Sequence, residues 1–146
     1  MAVKLFKAVW FFSLLGALAV LLFIYAGLPE QVVVQEDGVK LTSLPRDVFF
    51  YVTVAVMALI NVLVFVVAKV VSKNQPFKAW FYGLVAVLNV FFMVSLKLIG
   101  TFNSGEKFDY RQIDFIIYGS VCLILVWAAA WPIYLLYQKI SSKSSV

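Results

Sequence analysis

Four long apolar runs dominate the chain, at residues 8–26, 48–71, 77–99 and 113–137, with short polar stretches between them. Each meets the requirement of about 20 predominantly apolar residues for a helix that crosses the hydrocarbon core of a bilayer. A short apolar run can be a buried helix of a soluble protein, but four runs of this length within 146 residues predict a polytopic membrane protein. The expected fold is all-α, a compact bundle of four transmembrane helices in a single domain over residues 1–146.

The stretch between the first two runs has a different pattern. Gln31–Glu36 and Val39–Thr42 are rich in β-branched residues and flank Asp37-Gly38. That dipeptide suits a type I′ turn, which needs positive φ at both central positions, so a small β-hairpin is expected around 31–42. Pro29 precedes the hairpin, and Pro45 is expected in the first turn of the second helix, where a missing N–H costs nothing. An isolated hairpin is marginal in water and should lean on the membrane surface or on a partner. The segment near Asn103-Ser104-Gly105 reads as a turn, and Asp109 with Gln112 as a capping pair opening the fourth helix. Pro132 removes the hydrogen bond to the Ala128 carbonyl and predicts a kink.

Charge orients these helices. All seven carboxylates (Glu30, Glu36, Asp37, Asp47, Glu106, Asp109 and Asp114) fall within 27–47 and 100–114. The opposite side carries Lys4, Lys7, Lys69, Lys73, Lys78, Lys139 and Lys143 and no acid. Positive residues favour the cytoplasm, so both termini are expected inside and the hairpin outside. The apolar stretch from Ala8 to Ala26 exceeds the roughly 7–15 residues of a signal peptide, and Ile24 would sit at the −3 position of a cleavage site after Ala26. A retained first helix is expected. Aromatics at both boundaries, among them Trp10, Trp80, Tyr82 and Trp131 on one side and Tyr25, Phe50 and Tyr110 on the other, suggest interfacial belts.

Composition narrows the chemistry. The chain is 64% hydrophobic and 13% charged, against about 25% charged in an average domain. Its net charge of +5 is spread singly over helix ends and forms no basic stripe, which excludes a nucleic-acid partner. There is no histidine and a single cysteine, Cys122, so His-ligated metals, thiolate clusters and an intrachain disulfide are excluded. No nucleophile–base pair or phosphate loop is present, and no acid lies at mid-membrane depth to move a proton. A non-enzymatic protein without cofactor or metal is expected.

Few polar residues remain inside the apolar runs. Asn61 and Asn89 lie at matching depth on helices joined by a very short connection, so an amide–amide hydrogen bond between them is expected. Ser13-xxx-Ala17, Ala79-xxx-Gly83 and Gly119-Ser120 offer small faces for close helix packing. Lys97 and Asp114 are placed to form an ion pair at the boundary.

The stretch Tyr25-Ala26-Gly27-Leu28-Pro29-Glu30-Gln31-Val32, with Gly38 and then Arg46-Asp47-Val48-Phe49, resembles the first outer loop of a bacterial membrane family that includes SdpI-like immunity proteins. That loop reads Leu-Pro-x-x-Val-x-x-His-Phe before a glycine turn; here Gln35 and Glu36 stand where His-Phe would fall. The resemblance covers residues 25–49 and implies a bacterial inner membrane and an immunity or sensing role.

Taken together, these features lead to an expected non-catalytic accessory or structural subunit that binds other integral membrane proteins within the bilayer. Its hairpin, with Val33, Asp37, Gly38 and Leu41, is the expected partner surface, because strand edges invite pairing. The alternative is a small immunity or sensor protein that reads an extracytoplasmic ligand through 28–46. A channel or transporter is the third expectation.

Overall fold

The computed structural model describes residues 1–37, 40–70, 73–105 and 110–143, with side chains over 1–35, 41–70, 73–105 and 115–141. Its elements are α1 (Ala2–Gly27), β1 (Gln31–Asp37), β2 (Lys40–Pro45), α2 (Arg46–Val70), α3 (Gln75–Asn103) and α4 (Tyr110–Lys143). All four helices are long and apolar enough to cross a membrane. α1 and α4 run well past their apolar segments, because the lysines and glutamine at their ends are good helix formers.

α3 is the hub. Asn74 caps it, its side chain accepting the Phe77 N–H at 3.0 Å, and Pro76 occupies the first turn. The short connection before this cap sends α3 back antiparallel to α2. α1 lies parallel to α3, since Ser13, Gly16 and Ile24 meet Asn89, Met93 and Gly100 in ascending order. At Gly100 a Cβ would stand 2.6 Å from Ile24 Cδ1, so glycine is what lets the two helices approach there.

Two apolar clusters fill the space among α1, α2 and α3. One lies toward the hairpin and contains Ala17, Leu21, Leu28, Val32, Phe49, Met57 and Leu96. The other lies toward the lysine-bearing end and contains Trp10, Val64, Tyr82, Val85 and Ala86. Trp10 and Tyr82 are therefore core residues, not boundary anchors. α1 begins at Ala2, which places Trp10 two turns inside the helix and against α2 and α3.

The hairpin is antiparallel, pairing Val32 with Leu44, Val33 with Ser43 and Gln35 with Thr42, so Val34 forms a bulge. Val32 is fully buried beside Leu28, and the hairpin thereby closes the end of the core. Two details differ from the sequence expectation. Asp37 belongs to β1 and pairs with Lys40, while Gly38, one of the expected turn residues, lies outside the described residues. Pro45 ends β2, and α2 starts at Arg46. Its fixed φ suits an extended residue, and the Arg46 N–H donates to the Glu30 carbonyl at 2.9 Å, closing the hairpin base.

α4 departs from a compact four-helix bundle. Its best-covered residues, Ile117, Ser120, Ile124, Trp127, Ala128 and Trp131, are only half-buried and form one narrow stripe against α3. A reciprocal pair holds it: the Trp80 indole donates to the Trp127 carbonyl at 2.8 Å, and the Trp127 indole to the Trp80 carbonyl at 2.9 Å. Trp127 lies over Gly83, where a Cβ would come within 2.2 Å of its ring. The small face Ala79-xxx-Gly83 thus receives α4, whereas Gly119 faces open space. The helix continues through Pro132 to Lys143.

Gly83→Ala should push Trp127 out and weaken the α3–α4 contact by about 1–3 kcal/mol. Spin labels on the outward faces of α3 and α4 should report a broadened distance distribution, while labels on α1 and α2 should not. An unchanged α3–α4 distribution would contradict the role given to Gly83.

Candidate functional site: the buried amide cluster and the clamps around it

Asn61 on α2 and Asn89 on α3 are the buried polar side chains among the described residues, 4% and 0% exposed. Each carboxamide donates to the other: Asn61 Nδ2 to Asn89 Oδ1 at 2.9 Å, and Asn89 Nδ2 to Asn61 Oδ1 at 3.0 Å. The second hydrogen of Asn61 goes to the Met57 carbonyl at 2.8 Å, and that of Asn89 to Ser13 Oγ at 3.1 Å. Ser13 passes its own hydrogen to the Trp10 carbonyl at 2.7 Å, and Trp10 Nε1 donates to Asn61 Oδ1 at 2.8 Å. All four amide hydrogens are engaged, and α1, α2 and α3 each contribute to one connected network.

Local sequence places these groups. Trp10 and Ser13 lie three positions apart on α1, so they share a face one turn apart. Asn61 follows Met57 by four positions and can bond back to its carbonyl, a habit of short polar side chains within helices. An amide taken into hydrocarbon without partners costs several kcal/mol, and this arrangement leaves no such hydrogen. The groups are neutral and mutually saturated. They pin α1, α2 and α3 to one another.

Two further clamps lie toward the hairpin. Asn103, at the end of α3, accepts the Val33 N–H at 2.8 Å and donates to the Val33 carbonyl at 3.0 Å, completing that residue as a neighbouring strand would. It also donates to the Ile99 carbonyl at 2.8 Å, which orients the amide. The edge of β1 at Val33 is consequently occupied from within the chain. On the far side, the Tyr25 hydroxyl donates to Asp47 Oδ1 at 2.8 Å and the Arg46 guanidinium sits 5.2 Å from the Tyr25 ring centre. Asp47 in the first turn of α2 also favours the positive end of that helix dipole.

The remaining expected site residues separate. Ala17 is buried in the hairpin-side cluster and Ala79 in α3, whereas Leu41 is exposed. Lys97 is exposed, and Asp114, its expected partner, lies outside the described side chains, as does that of Asp37. Sequence reasoning missed Trp10 as a donor, Asn103 as a strand clamp and the Trp80–Trp127 pair. Asn103 carried a usable signal, an amide one turn past an apolar run; the indole pairing carried none, because it depends on how α4 packs. Among the described residues, no three His, Cys, Asp or Glu side chains gather into a metal-binding group. The chain matches no protein-family model, no curated protein and no solved structure.

Replacing one amide should strand the other. Asn61→Leu or Asn89→Leu is expected to lower stability in detergent by about 1–3 kcal/mol. Trp10→Phe, which keeps the ring, should cost about 1 kcal/mol. The double Asn61→Leu/Asn89→Leu variant should lose less than the sum of the two, since it leaves no orphan amide. Strict additivity in thermal unfolding would argue that the two groups do not interact.

Asn103→Leu should unclamp β1 while leaving the helices paired. Hydrogen exchange at the Val33 amide is expected to rise by about tenfold, the equivalent of roughly one lost hydrogen bond. Equal protection in wild type and variant would remove the clamp.

Proposed function

We propose that this chain is a non-catalytic integral membrane accessory subunit, inserted with both termini in the cytoplasm and the hairpin outside, that binds a larger membrane protein through α4. The observation that carries this reading is the asymmetry of the packing. α1, α2 and α3 close on one another around a saturated polar cluster, whereas α4 stands beside them on one stripe. Its other faces present Tyr118, Leu125, Val126, Ile133 and Leu136, all exposed. A helix held so narrowly can be received between the helices of a partner without disturbing the core. The bacterial inner membrane is the compartment this reading favours, in keeping with the loop resemblance at residues 25–49.

The hairpin favours a second reading, recognition of an extracytoplasmic ligand by a small immunity or sensor protein. Leu41 is exposed on a hairpin anchored to α3 through Asn103 and closed at its base by Arg46.

Native mass spectrometry after mild solubilisation separates the two. The accessory reading predicts a stoichiometric complex with one larger partner, and a photo-crosslinker at Leu125 should capture that partner. A protein that runs alone, with Leu125 crosslinking to lipid only, would sink that reading. Loss of a protective phenotype on Leu41→Asp in the same background would then establish the hairpin as the functional surface.

A further inference from the structure

α1 and α2 are joined through Trp10–Asn61 and Tyr25–Asp47, and a groove of about 520 Å³ is left between them. Apart from Lys7 and Asn61 it is walled by apolar and aromatic groups, notably Phe11, Leu14, Leu18, Val54 and Phe65. Trp10 and Asn61 lie in its floor, but they satisfy each other, so the floor presents no free donor that would demand water. The groove is open on the side away from α3. From Lys7 to Leu18 it runs about 16 Å along α1, at 1.5 Å per residue. That is about half of the ~30 Å hydrocarbon core, the depth of one leaflet.

Its two ends differ in charge. Lys7 stands at one end of the lining, and Lys4 and Lys69 lie on the same side of the molecule. In the sequence all seven carboxylates fall within 27–47 and 100–114, and the acidic side chains among the described ones, Glu30 and Asp47, lie at the hairpin end. An apolar slot one leaflet deep that opens onto a lysine, with no acid on that side, is complementary to a molecule with a long acyl chain and an anionic head.

We propose that the groove between α1 and α2 is a binding site for an anionic phospholipid, one acyl chain lying along Leu14, Leu18, Val54 and Phe65 and the phosphate paired with Lys7. The proposal does not depend on α4 or on any protein partner. The lipid fills the cleft that α1 and α2 leave above the amide cluster, and it shields Trp10 and Asn61 from the lateral approach of water.

The test uses the full chain alone in nanodiscs, so its outcome is independent of whether a larger partner exists. One set contains phosphatidylcholine only; the other contains phosphatidylcholine with one fifth phosphatidylglycerol. Native mass spectrometry after gentle ejection should show one retained lipid per chain, with phosphatidylglycerol favoured over phosphatidylcholine by about fivefold relative to its abundance in the nanodisc, the preference one lysine near the surface confers. Lys7→Gln, at an exposed position, should abolish that preference and leave the fold intact. Ala58→Trp, which places a ring in the open groove from an exposed position, should remove the retained lipid whatever its head group. Retention of the two lipids in their one-to-four bulk proportion by the wild-type chain would overturn the charge selection. An adduct that survives Ala58→Trp would place the lipid elsewhere. A dimer in which a photo-crosslinker at Ala58 joins two copies of the chain would make a second copy the occupant and overturn the proposal.

Discussion

A hydrocarbon environment offers no hydrogen-bonding partner, so a polar group placed at its middle must be answered by another part of the protein. Buried among apolar side chains, the two carboxamides at Asn61 and Asn89 are under the same constraint. Apolar contacts on either side of them tolerate sliding, because one methyl group replaces another at similar energy. The amide bonds do not, since their distances and angles hold only in one register. A shift of one helix by a single turn, about 5.4 Å, would break the pair and release the bonds from Trp10 and Ser13 with it. The cluster therefore sets the axial alignment of α1, α2 and α3, and the two apolar cores fill in around that alignment.

The same economy recurs at the ends of the core. Asn103 answers the backbone of Val33 with its own amide, standing in for a third strand, and so docks a hairpin that would be marginal by itself. Trp80 and Trp127 each hand an indole N–H to the other's backbone, joining α3 and α4 through groups that a helix ladder leaves with spare lone pairs. In each case a side chain with a fixed donor serves a carbonyl across an interface. Among its described residues α4 makes this indole pairing at one level and is at most half-buried elsewhere, which is why the proposed partner surface lies there. The open α1–α2 groove lies where apolar side chains line both helices, away from the Tyr25–Asp47 bond that joins them at the hairpin end.

Much of this was legible in residue order. Runs of about twenty apolar residues set the number of the helices, though not the full length of α1 and α4, and the alternation around Asp37-Gly38 announced the hairpin. The matching depth of Asn61 and Asn89 followed from a connection too short to allow any arrangement but antiparallel neighbours. These are local or near-local properties, carried by periodicity and by spacing from one turn. Trp10 was not legible in this way. An aromatic near the end of an apolar run satisfies the rule for a boundary anchor equally well, and only its packing against α2 and α3 distinguishes a core donor. Asn103 was similarly ambiguous between a turn residue and a strand clamp.

What the sequence determined by itself was four long apolar helices, the order of the elements and the existence of a polar pair between α2 and α3, because burial of apolar surface and satisfaction of amides leave few choices once the runs are drawn. The tertiary structure decided the rest. Apolar faces match many neighbours with similar energy, so residue order could not say that α1 would lie parallel against α3, that α4 would be left with one narrow seam, or that α1 and α2 would part around a groove. Those outcomes depend on where a few bulky and small residues meet, Trp127 over Gly83 and Ile24 over Gly100 among them, and such meetings exist only once the chain has folded.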